Sequence, residues 1–233
     1  TLTPQQRLAA LQGKQMIVPS WGYDPADMAA GAKEAGYQVG NTQNFAVWES
    51  AGVEVLARPE ITTDDPFDPC DVQAGIDTLV DFVESIDGDE NVVGCVIRWG
   101  RLGEGGFPDD YVFSDIAKQA FNDYMNTPGQ PLPTRPSPGD PGDMRWIKWI
   151  EFRSKTLRDF RETYLAAVKQ HTDKLVGTWS ELLPTRHYDL NMGDAPGADF
   201  LFHDLSFGHV TANQQIAFGE SHGLLQNYSQ FED

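Results

Sequence analysis

Glu104 lies in a glycine-rich segment, Gly100-Arg101-Leu102-Gly103-Glu104-Gly105-Gly106-Phe107-Pro108, that follows the strongest strand pattern of the chain. Because glycine has no Cβ, the backbone there can approach a ligand closely. Hydrolysis of a glycosidic bond needs two carboxyl groups, one that donates a proton and one that stays ionised. We therefore take Glu104 as the candidate proton donor and Glu232 or Glu181 as the candidate second carboxylate. The alternative for each is an ordinary solvated carboxylate.

Aromatic and polar residues follow the other predicted strands and suit the binding of a sugar. Indole faces stack on the CH faces of sugars, and polar side chains bond their hydroxyls. The candidate substrate-binding residues are Trp21, Arg58, Trp99, Trp179, His203 and Asp204. For each tryptophan the alternative is packing at the rim of the sheet, and for Arg58 it is a structural ion pair.

A metal-dependent hydrolase is the rival chemistry. His203, Asp204 and His209 fall in one segment, with His187 upstream, and such residues ligate catalytic metals. However, no His-x-His follows the first predicted strand, as it does in the metal-dependent barrel amidohydrolases. We therefore predict no metal and no other cofactor, and assign His203 and Asp204 to sugar binding.

Strand-like and helix-like segments alternate along the chain, which predicts parallel strands joined by helical crossovers. The predicted strands lie at 15–19, 37–40, 53–57, 92–97, 175–179, 199–203 and 224–228. Asp24 and Pro25 mark the start of one predicted helix, and a long amphipathic helix is predicted over 144–170. Since no GxGxxG follows the first strand, the pattern favours a (β/α) TIM-type barrel over a dinucleotide-binding fold.

The pattern contains seven strands, whereas a complete barrel has eight. Either one strand escapes the pattern, or the barrel is shortened or open, or the chain is a piece of something longer. Residues 1–233 are predicted to form a single barrel domain with a Pro/Gly-rich excursion at 127–142. An open barrel leaves a strand edge that a second copy or another chain could cover. In barrels the site lies at the carboxyl ends of the strands, and the candidate residues all follow predicted strands.

The charge of the chain excludes some partners. The 233 residues carry a formal net charge of −18, which repels phosphate backbones, so we expect neither nucleic acid nor an anionic membrane as a partner. Asp outnumbers Glu and Arg outnumbers Lys, as in a halophilic protein, and the alternative is an ordinary acidic protein. The compartment is therefore unknown, and the two options are the outside of the cell and the cytoplasm of a salt-adapted organism. The two cysteines form no disulfide framework, and Cys95 is predicted to be a buried thiol.

The stretch from Asn91 to Met125, with the long helix after it, resembles the middle of clan A glycoside hydrolases with a (β/α)₈ barrel. The bacterial β-galactosidases are the group it resembles most. In that family the corresponding strand ends in an Asn-Glu pair whose glutamate is the acid/base, and here the pair is Arg98-Trp99. The resemblance implies a barrel that cleaves glycosidic bonds. The departure at Arg98-Trp99 implies the alternative, a non-catalytic carbohydrate-binding or assembly module derived from such a barrel.

The segment after this strand is similar to a loop of the β-amylases. Those enzymes carry a Gly-x-x-Gly-Glu-x-x-x-Pro loop whose glutamate is the general acid. Gly100, Gly103, Glu104 and Pro108 stand at the corresponding places. This second resemblance implies that Glu104 supplies the proton that the missing Asn-Glu pair would otherwise provide.

Overall fold

The computed structural model of the chain describes residues 3–12, 14–17, 24–61, 65–99, 107, 111–135, 143–180 and 197–203. Six helices and six strands lie in these ranges. The helices are α1 (Pro4–Gln12), α2 (Pro25–Glu34), α3 (Phe45–Ser50), α4 (Pro69–Asp87), α5 (Asp115–Met125) and α6 (Met144–Val168). The strands are β1 (Met16–Ile17), β2 (Val39–Thr42), β3 (Glu54–Ala57), β4 (Val92–Ile97), β5 (Leu175–Ser180) and β6 (Phe200–His203).

Four of the helices begin at a side chain that caps them. Asp24, Asp68, Ser114 and Asp143 each accept a hydrogen bond from a backbone N–H of the first turn of α2, α4, α5 and α6 respectively. Such a bond satisfies an N–H that has no partner within the helix, and it is typically worth about 1 kcal/mol. The capping residues therefore fix where each crossover helix begins.

The strands form one parallel sheet in the order in which they occur along the chain, β1-β2-β3-β4-β5-β6. In a doubly wound sheet the strand order reverses at a switch point, and this sheet has no reversal. A sequential parallel order places every crossover helix on the same side of the sheet, as in a barrel. The parallel sheet and its alternating helices therefore confirm the predicted α/β fold class.

Each face of the sheet is covered by apolar side chains. One face packs against the helices: Val55, Ala57, Cys95, Ile97 and Val176 join residues of α2, α3, α4 and α6 in the larger core cluster. We call this the helix-covered face. The opposite face, which we call the inner face, forms a smaller cluster with Leu11 of α1. Its strand residues are Met16, Val39, Leu56, Val96, Leu175 and Phe200.

The complete barrel is not seen. Over the described residues the sheet has six strands, and no pairing joins β6 back to β1. The predicted seventh strand, at 224–228, lies outside the described residues. Helix α1, which the sequence pattern did not indicate, packs through Leu11 with the inner-face residues. No described helix combines the length and the apolar character that crossing a bilayer requires.

The Pro/Gly-rich excursion starts from a defined helix end. Asn126 adopts the left-handed conformation with φ of 54° at the end of α5. Asn122 Nδ2 donates to Gln130 O at 2.8 Å, and Arg145 Nη2 donates to Asn122 Oδ1 at 2.9 Å. These bonds fasten the first part of the excursion between α5 and α6.

Gly94 on β4 is expected to tolerate no side chain. A Cβ built there would lie 2.5 Å from the carbonyl oxygen of Leu175, which belongs to the neighbouring strand and cannot move independently. We expect Gly94→Ala to lower the free energy of unfolding by about 1–3 kcal/mol, as overpacking does. Urea denaturation of both proteins measures the difference.

Gly31→Ala is the matched control for this substitution. Gly31 lies within α2, and a Cβ there would meet no atom within 4 Å. Because alanine favours the helix over glycine, this variant is expected to gain about 0.5–1 kcal/mol. Equal stability of the two variants would show that the β4–β5 contact at Gly94 is looser than described.

Candidate functional site at the carboxyl ends of the strands

A row of polar residues lies on the inner face at the carboxyl ends of β2, β3 and β4. Ala57 and Trp99 belong to the helix-covered cluster, so by strand alternation Arg58 and Arg98 fall on the inner face. Glu60 pairs with Arg98 in an isolated parallel bridge and shares that face. The backbone N–H of Arg98 donates to Pro59 O at 2.9 Å, and that of Ile61 to Arg98 O at 3.0 Å. The residues after β3 are therefore held in register against the end of β4.

Asn41 extends this row onto β2. It pairs with Leu56 of the inner cluster and is fully buried. Its Nδ2 donates to Leu56 O at 3.1 Å, whereas its Oδ1 is buried without a hydrogen-bond partner in the described part of the chain. Buried polar atoms are normally paired, so this oxygen can accept a bond from a water molecule or a ligand hydroxyl. Two residues later, Gln43 Nε2 donates to Arg58 O at 3.1 Å.

Trp99 does not belong to this row. Its side chain is 1% exposed, and its Nε1 donates to Thr178 Oγ1 at 2.6 Å. Its ring lies 5.6 Å from that of Phe160 and 5.9 Å from that of Tyr164, both on α6. The suggestion that Trp99 is a substrate platform is therefore wrong for the described structure, and the alternative, packing beneath the rim, is the one observed. Alternation along β4 gives the reason, because position 99 falls on the helix-covered face.

Several of the other candidate residues lie outside the described part of the chain. Those are Trp21, Glu104, Glu181, Asp204 and Glu232. For Trp179 and His203 the backbone alone is described, at the carboxyl ends of β5 and β6, where Trp179 pairs with Phe202 and Ser180 with His203. Arg58 is the predicted substrate-binding residue whose placement at the carboxyl edge is described directly.

Among the described residues, the cysteines and acidic side chains indicate neither a thiol nucleophile nor a metal site at the carboxyl ends of the strands. Burial raises the pKa of Cys95 to about 12, and the charge of Asp199 adds to the rise. The thiol is therefore protonated and lies in the core, as predicted, and it is no nucleophile at neutral pH. Among the described residues no group of three or more His, Cys, Asp or Glu side chains is placed to hold a metal ion. His187 and His209, from the metal alternative, lie outside the described residues.

A cavity of about 360 Å³ opens at the opposite, amino end of the strands. It is lined by charges of both signs, including Arg7, Lys14, Glu54 and Lys174. Lys14 pairs with Glu54, and Lys174 Nζ donates to the carbonyl oxygens of Asp89 and Val92 at 2.6 and 2.8 Å. Burial lowers the pKa of Lys174. Because Lys14 and Glu54 already bond each other and Lys174 already bonds two backbone carbonyl oxygens, we assign this cavity no catalytic part.

A cluster of aromatic rings that the sequence patterns did not predict lies beside the site. The ring of Phe67, from the segment after β3, stacks on the rings of Phe107 and of Phe152 in α6. The ring centroids are 5.7 Å and 5.8 Å apart, respectively. The ring centroid of Phe113 lies 4.8 Å from that of Trp149. The cluster joins the segments that follow β3 and β4 to α6. Their shared aromatic character was a signal in the sequence, although it did not reveal which rings meet.

Two arginines on α6 are buried, which was not predicted from the sequence. Arg153 is 8% exposed and Arg161 is 3% exposed. They share the buried stripe of α6 with Trp149, Leu157 and Tyr164. The spacing of four residues between Trp149, Arg153, Leu157 and Arg161 placed them on that stripe and was the signal available beforehand.

Comparison with known proteins reveals the fold and leaves the family open. No protein-family model matches the chain, and no curated protein matches it. Solved structures do match. A β-galactosidase from the psychrophilic Marinomonas ef1 matches 82% of this chain with a TM-score of 0.56 and 11% sequence identity. A β-galactosidase from Bacillus circulans sp. alkalophilus matches 88% of it with a TM-score of 0.58 and 12% identity.

A third structure with a similar fold is the polyextremophilic β-galactosidase from the Antarctic haloarchaeon Halorubrum lacusprofundi. It matches 91% of this chain with a TM-score of 0.57 and 13% identity. The chain spans 40%, 41% and 44% of the lengths of the three β-galactosidase chains, in the order given. At such low identity the likeness concerns the fold. The chain thus has the glycosidase-like α/β fold of these β-galactosidases over about two fifths of their length.

Proposed function

We propose that the chain is a glycoside hydrolase-like barrel that binds a carbohydrate at the carboxyl ends of its strands and cleaves a glycosidic bond. The observation that carries the proposal is the inner-face row of Asn41, Arg58, Glu60 and Arg98 at the carboxyl edge of a barrel-type sheet. Amide, guanidinium and carboxylate groups bond sugar hydroxyls. The similarity of the fold to three β-galactosidases supports the same class of ligand.

The proposed chemistry needs two carboxyl groups with different protonation states. Glu104 acts as the general acid and protonates the oxygen of the leaving sugar. Glu232 or Glu181 stays ionised and acts as nucleophile or as the base that activates water. A separation of about 5–5.5 Å between the two carboxyl groups gives retention of configuration, and roughly 6.5–9.5 Å gives inversion.

The remaining candidates complete the binding site in this proposal. Arg58 bonds sugar hydroxyls on the inner face, and His203 and Asp204 do so from the end of β6. Trp21 and Trp179 supply faces for stacking on the sugar ring. Trp99 has no such part, because it is buried against α6.

One observation favours a second function, a carbohydrate-binding or assembly module without turnover. Arg98 and Trp99 occupy the strand end where the family that the sequence resembles has its Asn-Glu pair, and Trp99 is locked in the core. If Glu104 supplies no proton, the strand end lacks the acid that it carries in that family. The site would then bind sugars without cleaving them.

A pair of measurements separates the two functions. The purified protein is screened with a panel of aryl glycosides, in low salt and in molar salt, and titrated calorimetrically with oligosaccharides. Hydrolysis of at least one glycoside is the result that the proposal predicts. Saturable binding without hydrolysis would favour the module, and the absence of both would refute a carbohydrate site.

A further inference from the structure

Asn41 of β2 is a buried polar residue that uses only one end of its amide. The side chain is 0% exposed, and its Nδ2 donates to Leu56 O at 3.1 Å. Its Oδ1 is enclosed and accepts no hydrogen bond within the described ranges. The orientation of the amide is fixed, because a carbonyl oxygen can only accept, so the nitrogen must face Leu56 O. A purely structural asparagine at such a depth is expected to use both ends.

The phase of β2 places this amide on the inner face of the sheet. Val39 belongs to the inner cluster, and a Cβ at Gly40 would meet the ring of Trp48, which belongs to the helix-covered cluster. By strand alternation Asn41 falls on the inner face, one residue before the carboxyl end of the strand. It therefore shares both its face and its end of the sheet with Arg58.

Thr42, the next residue, is a buried polar side chain with a clear structural part. It is 2% exposed and lies on the opposite face of β2. Its Oγ1 accepts a hydrogen bond from the backbone N–H of Asn44 at 3.0 Å, which fixes the turn that leads into α3. The oxygen of Thr42 is thus used by the fold, whereas the oxygen of Asn41 is not.

An oxygen that is buried and unpaired before binding is well prepared to accept a hydrogen bond. Folding has already removed it from water, and no bond within the described ranges offsets that cost. A hydroxyl that reaches it displaces no water from it, so the new bond contributes more than an exchange of partners would. Because the oxygen has no accessible surface in the free protein, a neighbouring side chain must turn aside, and Arg58 is a long, half-buried side chain on that face.

We infer that Asn41 is a specificity-determining residue of the proposed carbohydrate site and selects sugars that present a hydroxyl donor to the inner face. The amide oxygen can only accept, so the sugar group that meets it must carry a hydrogen. Such a site rejects an analogue without that hydroxyl, because the oxygen then stays unpaired. The inference rests on the proposed function, whereas the burial and pairing of Asn41 do not depend on it.

Two substitutions on β2 separate a binding role from a structural one. Asn41→Leu removes both polar atoms and keeps the number of side-chain heavy atoms, and Thr42→Val is the matched control beside it. For Asn41→Leu we expect the affinity for methyl glycosides of galactose, glucose or xylose, measured by calorimetry, to fall about 10-fold to 100-fold. Its melting temperature should stay at or above that of wild type, because an unpaired buried oxygen is removed.

The control is expected to behave in the opposite way. Thr42→Val should leave the affinity unchanged and lower the melting temperature by about 2–4 °C, because it removes a hydrogen bond that the fold uses. Asn41→Val is the second variant in case leucine overpacks the site. A melting temperature lowered in both Asn41 variants as much as in Thr42→Val would show that the oxygen has a structural partner, such as a bound water, and would overturn the inference. Unchanged affinity in a folded Asn41 variant would overturn it too.

The direction of the hydrogen bond provides a test on the wild-type protein. Monodeoxy and monofluoro analogues of the methyl glycoside that binds are titrated, one ring position at a time. At the position that meets Asn41 both analogues should bind about 10-fold to 100-fold more weakly, because neither can donate, and this difference should vanish in Asn41→Leu. Fluoro analogues that bind as tightly as the parent at every position, or a difference that persists in Asn41→Leu, would overturn the inference alone. A wild-type protein that binds none of the glycosides would refute the proposed function and the inference with it.

Discussion

Replacing Glu104 by glutamine is expected to lower kcat by about 10²–10⁴-fold, the contribution that a general acid typically makes. Glutamine has the same shape as glutamic acid but has no acidic proton for the leaving oxygen. Sugar binding should change little, because the amide can still bond a hydroxyl. The variant is assayed with a glycoside of a poor leaving group and titrated with an oligosaccharide by calorimetry.

The leaving group provides an internal control for this prediction. A nitrophenolate leaves without a proton, so the Glu104→Gln variant should lose far less activity on a nitrophenyl glycoside than on an alkyl glycoside. Glu162→Gln is the control variant, since Glu162 is exposed on α6 and should retain full activity on both. Full activity of Glu104→Gln on the poor leaving group would remove Glu104 from the mechanism.

Removing the side chain of Trp99 is expected to destabilise the fold by about 3–5 kcal/mol, as Trp→Ala substitutions in a core do. The indole is 1% exposed and bonds Thr178, so its loss leaves a cavity and removes a buried hydrogen bond. Urea denaturation of wild type and Trp99→Ala measures the change in the free energy of unfolding. If Trp99 were instead a platform for sugar stacking, the variant would lose sugar affinity and keep its stability.

Two further variants separate the contribution of the Trp99 hydrogen bond to stability from that of its packing. Thr178→Val removes the partner of the indole N–H and keeps the indole itself. It is expected to cost about 1–3 kcal/mol, because the N–H stays buried without its acceptor. Trp146→Ala changes the same residue type on the half-buried side of α6, and its cost should be clearly smaller than that of Trp99→Ala. Equal costs at positions 99 and 146 would contradict the packing described around β4.

Local patterns predicted most of the secondary structure. The apolar run over Val92–Ile97 became β4, and Asp24 with Pro25 marked the start of α2 where the structure has it. Helix α1 escaped because its few apolar residues form no clear stripe, and Leu11 is buried by contact with the inner face of a sheet made later in the chain. Strand order was predictable because alternating strands and helices leave few topologies.

The sequence could not tell which face of a strand a given side chain occupies when both faces are apolar. Strand β4 is buried on both sides, so its pattern has no polar residue to set the phase. The phase became known only through the partners of β4, which place Val96 on the inner face and Ile97 on the helix-covered face. That single fact separates Arg98, at the site, from Trp99, in the core.

Buried arginines are equally hard to predict from one sequence. On a helical wheel Arg153 and Arg161 fall on the apolar stripe of α6. A charged residue on such a stripe is ordinarily expected to reach solvent, so the burial of these two arginines is not predicted from the helix alone. Their partners, Phe107 and Trp99, lie 46 and 62 residues earlier in the chain, so no local window contains both halves of the contact. The contacts of these two buried charges become known only from the packing of α6 in the folded chain.

A crystal structure of the Glu104→Gln variant with a bound oligosaccharide tests the central claim most directly. We expect the sugar at the carboxyl ends of the strands, within hydrogen-bond reach of Arg58 on the inner face. The side chain at position 104 should lie about 3 Å from the glycosidic oxygen, with a second carboxylate roughly 5–9.5 Å from it. A sugar bound elsewhere, or a side chain at position 104 turned to bulk water with no carboxylate near it, would contradict the account.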